Sequence, residues 1–306
     1  LIDAPPTTPP KHGLITAATV HPHQATDPQG RWEIGFGFLP ENCSDPETWV
    51  IPCVGPAGTE GPGAAATPGS EPGYPDDFLN FTPYQLQAEF ECDTQSRQAI
   101  DFADRAERIL EAGTGKAMEY ELWEGRTAGV EALAADGNLQ LTDSNTFTDS
   151  GPITTAITTP RLGLISLIQA AARSTSGQRS MIHATAATVA AWHMTGALKE
   201  EGARLVTVVG GHVVVAGSGY TGSGPDNTPD ADDDVHWAYI TSPVQYLLGE
   251  VRVNPPGGEI RGTDPDAQAF DFRENDEAYI AHRTAVAFWD GCLHTGLPIN
   301  TMGDLT

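Results

Sequence analysis

DFADRAERIL (Asp101–Leu110), running through EAGTGKAM to EYELWEG (Glu119–Gly125), is the stretch on which the fold turns. Ile100, Ala103, Ala106 and Leu110 return at three- and four-residue intervals, which makes one side of a helix apolar. Asp101–Arg105 and Asp104–Arg108 are i,i+4 pairs with the acid on the N-terminal side, the favourable order. Thr94 or Ser96 can cap the start, and Gly125 can close the end. The spacing predicts helix over 94–124. Gly113 and Gly115 interrupt it, so the segment reads as one long bent helix or two in series.

Upstream, residues 1–30 read as an extended arm, because prolines at 5, 6, 9 and 10 deny helix and little apolar surface is available to bury. Trp32, Ile34, Phe36 and Phe38 alternate with polar residues or glycine, the period of a strand. Tyr84–Phe90 reads as a second strand, and the Gly/Pro/Ala-rich residues 55–77 lie between them as a low-complexity loop. The two strands suggest a hairpin-like excursion. Downstream, 126–157 reads as irregular. Pro160 opens a helix to Ala172. A short strand Ser180–His183 and a helix Thr185–Met194 follow. Leu205–Val209, a Gly210-Gly211 turn and His212–Ala216 read as a hairpin. Trp237–Thr241 and Tyr246–Val253 are further strands. Glu277–Trp289 and Leu293–Ile299 read as a final strand pair.

The 306 residues carry 41 acidic and 16 basic side chains, a formal net charge of −25. Such a surface repels phosphate backbones, which argues against sequence-reading of DNA or RNA. A hydrophobic content of 39% supports a real core. No run approaches the ~20 apolar residues of a membrane span, and Leu1–Pro10 lack the basic start of a signal peptide. Cys43, Cys53, Cys92 and Cys292 are too few for a disulfide scaffold. Free thiols are the favoured reading, with a Cys43–Cys53 bridge as the alternative.

Motifs that carry chemistry fail in their context. Gly217-Ser218-Gly219-Tyr220-Thr221-Gly222 matches GxGxxG after a strand, but Ser223–Pro229 cannot open the helix that a pyrophosphate needs. Ser218 lacks the spacing of a nucleophile elbow. Asp230, Asp232 and Asp234 start like a calcium loop, but Val235 replaces the required glycine and Thr241 the final glutamate. His183, His193, His212, His236, His282 and His294 supply ligand types without HxxxH, HExxH or CxxC spacing. Cys292 and His294 would share a strand face, yet no third group orients them. No catalytic, cofactor-binding or metal-binding set is therefore expected.

The order of elements resembles the major capsid proteins of tailed phages of actinobacterial type, the Hong Kong 97-type fold shared with encapsulins. Asp101–Leu110 with Glu119–Gly125 resembles the spine helix and its "E…W-x-G" ending. Met181-Ile-His-Ala-Thr185, Leu205–Thr207 and Val213–Tyr220 resemble the axial-domain run of strand, helix and hairpin. Asn275–Arg283 through Ala287–Asp290 resembles the closing strand.

That resemblance implies an α+β fold with these parts: an N-terminal arm, 1–30; an extended loop, 31–93; the spine helix and peripheral domain, 94–156; the axial domain, 157–270; and C-terminal strands returning to the peripheral domain, 271–306. It implies a structural virion protein, not an enzyme, that assembles in the host cytoplasm into an icosahedral shell. Its partners would be its own copies in pentamers and hexamers, portal and decoration proteins, and packaged DNA without sequence preference, and no membrane. A start at Leu1 fits removal of an N-terminal segment during head maturation, and fits a trimmed chain equally. The alternatives are a decoration, collar or tail component, an encapsulin-like compartment shell, and a hydrolase using the acidic loop 226–234.

Overall fold

The computed structural model describes residues 11–21, 32, 36–38, 79–93, 102–125, 138–148, 152–174, 179–229, 232–254 and 276–302. The helix read from the sequence is α2, Phe102–Glu124, and it is continuous through both glycines. Its inner stripe is Ala106, Leu110, Thr114, Met118, Leu122 and Trp123, all buried. Gly113 faces open space, and a side chain at Gly115 would only touch Ile15. The packed stripe outweighs the roughly 1 kcal/mol that each glycine costs a helix interior. Gly125 ends the helix at φ +66°. Arg108 donates to the Asp104 backbone carbonyl at 3.2 Å. Asp101 and the proposed caps Thr94 and Ser96 lie outside the described residues.

Within the arm, a one-turn helix α1, Leu14–Ala17, precedes β1, Thr19–Val20. The extended reading is corrected here, because the prolines that forbid helix stop at Pro10. β2, Phe36–Phe38, pairs antiparallel with β3, Leu79–Phe81, so its partner is not the stretch read from sequence. That stretch is β4, Tyr84–Asp93, which pairs antiparallel with β12, Asp276–Phe288. The loop 55–77 lies outside the described residues.

A five-stranded sheet is organised around β12. β10, Gln245–Leu248, and β11, Arg252–Asn254, both pair with it, and β1 lies parallel to β10. Arg283 holds the break between β10 and β11, donating through Nε and Nη2 to the Gly249 carbonyl. Residues alternate sides as strand geometry requires. Ala285 and Ala287 join the core beneath α2, while Val286 and Phe288 pack with Trp32 and Phe81.

A six-stranded sheet has the order β13-β9-β5-β8-β7-β6. Its strands are β5 Met181–Thr185, β6 Leu198–Glu201, β7 Arg204–Thr207, β8 Val213–Gly217, β9 Val235–Thr241 and β13 His294–Asn300. β5 and β8 are parallel. The β7–β8 hairpin forms as read, with Gly210 and Gly211 at positive φ. β6 was not legible, because its Lys-Glu-Glu reads as solvated turn. α3, Pro160–Ser174, and α4, Ala186–Met194, cover one face of this sheet. The other face meets α1 and α2. Strands buried on both faces read as unbroken apolar runs, as β8 does with Val213-Val214-Val215-Ala216.

The expected final strand pair is corrected. β12 joins the five-stranded sheet, whereas β13 pairs with β9 in the other. Gly291, at φ +72°, and a bond from the Cys292 N–H to the Asp290 carboxylate turn the chain between them.

Candidate functional site at the junction of the long helix and the six-stranded sheet

The GxGxxG run closes on the protein itself. Glu119 stands on the buried side of α2, where its carboxylate collects three donors. Oε1 accepts the Leu14 N–H at 2.8 Å, while Oε2 accepts the Gly219 N–H at 2.9 Å and the Ser218 hydroxyl at 3.1 Å. A Cβ on Gly219 would stand 2.2 Å from the Lys116 carbonyl oxygen. Glycine is required because the loop lies directly on the helix backbone. The loop that looked fit for phosphate thus receives a carboxylate of its own chain.

Tyr220 carries the junction inward. Its ring lies 4.7 Å from that of Trp123, and Trp123 meets Tyr239 edge-on at 5.0 Å. The Tyr220 hydroxyl is 2.8 Å from His183 Nδ1, and His183 Nε2 is 3.0 Å from Thr241 Oγ1. Thr241 donates its own proton to the Ser242 carbonyl. It therefore accepts from His183 Nε2–H, and Tyr220 donates to Nδ1. Burial, with His294 nearby, pushes the His183 pKa down to about 3. Burial, reinforced by Glu119, raises that of Tyr220. Both groups are neutral across the physiological range.

His294 is equally enclosed. Its Nε2–H donates to the Leu141 carbonyl at 3.0 Å, which leaves Nδ1 to accept from Thr146 at 2.7 Å. Burial lowers its pKa to about 4, against the opposing pull of the Leu141 carbonyl. Both ring nitrogens are committed, so His294 has no free position for activating a thiol. Cys292 is disulfide-bonded, which corrects the free-thiol reading for this residue. A Cys/His nucleophile is not assembled here.

The remaining candidates are dispersed. His212 Nδ1 accepts the Ser180 N–H, and burial lowers its pKa. Burial also lowers that of His282, on β12 of the other sheet. His193 is exposed on α4, and His236 is half-buried on β9. Asp230 lies outside the described residues. Asp232 and Asp234 offer backbone carbonyls to Val235 and Thr301. Among the described residues, no three His, Cys, Asp or Glu side chains group as a metal site, and no helix is long and apolar enough to cross a membrane. Sequence reasoning missed Glu119 as a centre. Its signal was a carboxylate on the apolar stripe, four residues before Trp123.

No protein-family model matches the sequence, and no curated protein does. The three-dimensional comparison is informative. The chain superposes on the capsid of an empty GTA particle, computed with C5 symmetry, over 95% of its own length and 91% of the other, at 12% identity and a TM-score of 0.52. This is the Hong Kong 97-type capsid fold. A superposition on a structure of Mycobacterium phage Adephagia has a TM-score of 0.49, at 11% identity over 97% of this chain and 91% of that one. The holo-SrpI encapsulin complex of Synechococcus elongatus PCC 7942 follows at 0.46 and 12% identity, covering 76% and 79%. Within this Hong Kong 97-type fold, Glu119 is the point where the N-terminal segment, the long helix and the six-stranded sheet are fastened together.

Proposed function

We propose that this chain is the major shell subunit of a tailed-phage capsid, closing with its own copies around DNA. The observation that carries the reading is the Hong Kong 97-type fold, shared with a particle capsid across nearly the whole chain. In that reading α2 is the spine helix, residues 157–270 are the axial domain, and the 31–93 excursion is the extended loop. The strands of 271–306 complete the peripheral domain. The role is structural, consistent with histidines whose nitrogens are spent on internal hydrogen bonds. Pentamers and hexamers form the shell, with portal and decoration proteins as further partners. The −25 charge limits sticking of DNA to the protein. The virion is its place of residence and the host cytoplasm its place of assembly. Electron micrographs of the purified protein test this. Closed, regular shells are expected, and a monomer without self-association at high concentration overturns it. Shells filled with protein and free of DNA would instead indicate a nanocompartment.

A further inference from the structure

Asp149 and Glu200 bracket fifty residues that contain no acid and four cations, Arg161, Arg173, Arg179 and Lys199, in a chain with 41 acids. The run supplies α3, β5 and α4. β5 is buried, so the acid-free surface of the run belongs to the two helices, which pack side by side. α4 has no Asp, Glu, Lys or Arg at all, and Met194 at its end is 63% exposed. On α3, Leu162 and Ile165 face outward, with Ile157 exposed beside them. Helices that are apolar on their outer side are covered by something.

A second apolar feature stands at the β7–β8 turn, where the Val208 N–H donates to the Ala197 carbonyl just beyond α4. Val208 and Val209 project from the β7–β8 turn, with Val209 67% exposed. The tip is stiff, because Thr207 donates its hydroxyl to the Val209 carbonyl and accepts the His212 N–H. α3 packs over β13 and β9, whereas the tip belongs to β7 and β8, toward the β6 edge. β9 and β7 are three strand spacings apart, about 14 Å at roughly 4.8 Å each. α3 and the tip are therefore separate apolar features of one copy.

We propose that the Leu162–Ile165 face of α3 in one copy receives the Val208–Val209 tip of a second copy, head to tail, so that successive copies close a ring. The inference rests on the shell reading and names one contact within it. Charge selects the occupant. Two chains at −25 repel over most of their surfaces, and the acid-free run is where that repulsion is weakest and Arg161 and Arg173 offset it. Contacts between different patches of one subunit produce rings or filaments and not simple pairs. DNA is the disfavoured occupant, because apolar side chains dominate the face.

The test uses full-length protein. Ile165→Glu and Val209→Glu should each abolish assembly in sedimentation while leaving the melting midpoint of the monomer unchanged, since both side chains are exposed. A double variant, Ile165→Cys with Val209→Cys, treated after assembly with a short bismaleimide, should yield a ladder of linked subunits with a 165–209 peptide. Either single cysteine variant, and the wild type, should lack that peptide. Normal assembly of the Glu variants, or assembled double variant without the linked peptide, overturns the contact. If the wild-type protein itself does not assemble, the shell reading fails and this contact fails with it.

Discussion

Glu119 Oε2 accepts the backbone N–H of Gly219 at 2.9 Å, joining residues one hundred positions apart in the chain. The bond ties the long helix to the end of β8, and the other carboxylate oxygen holds the first residue of α1. A buried carboxylate is tolerable because each oxygen has donors, and charge-assisted bonds of this kind are stronger than neutral ones.

Replacing Glu119 by Gln keeps the shape but sets an amide NH2 against backbone donors. A loss of about 2–3 kcal/mol is expected. Gly219→Ala should cost about 1–3 kcal/mol through overpacking against the Lys116 carbonyl. Urea denaturation of both variants checks this, and midpoints equal to wild type would remove Glu119 from its central role.

Acid should weaken the protein well before its carboxylates protonate. His183 and His294 have folded pKa values of about 3 and 4, below the unfolded value near 6.5. A depressed histidine pKa means the unfolded chain takes up the proton first. The stability is fully present above pH 6.5 and is lost as pH falls toward 4. The slope is about 1.4 kcal/mol per pH unit for each histidine. Denaturant midpoints between pH 7.5 and 4.5 measure it, and replacing either histidine should flatten the decline.

Cys292 should resist thiol labelling in the folded, non-reduced protein. Cys92 is an implausible partner on register alone: it sits opposite Glu277, eleven positions from the end of β12, or about 36 Å. Peptide mapping without reductant should recover Cys292 in a linked peptide that lacks Cys92. Cys292→Ser should lower stability by about 2–5 kcal/mol.

Asn138 closes a ring with Thr82, accepting its N–H and donating to its carbonyl, both at 2.8 Å. It imitates a strand neighbour at the bend between β3 and β4. Asn138→Ala removes both of these hydrogen bonds and should cost about 1–3 kcal/mol, read as a lowered melting midpoint.

Much of this architecture could be read from local pattern. The apolar stripe of α2 set its face and its end at Gly125, and the Pro160 start, the α4 segment and the β7–β8 hairpin followed from periodicity and turn chemistry. Partner choice was not local. Tyr84–Phe90 alternates like any half-buried strand, and nothing in its pattern says that it pairs with residues 276–285 and not with 36–38. β6 escaped notice because an edge strand can be charged on its exposed positions.

The sequence alone therefore determined the elements, the acidic surface with its acid-free gap, and the failure of GxGxxG as a nucleotide site, since each depends on residues within a few positions of one another. Tertiary structure decided which strands are neighbours, sending β12 and β13 to different sheets. It also decided what the glycine run is for. A hydrogen bond spanning a hundred residues has no local signature, so only the folded chain could place Gly219 against Glu119.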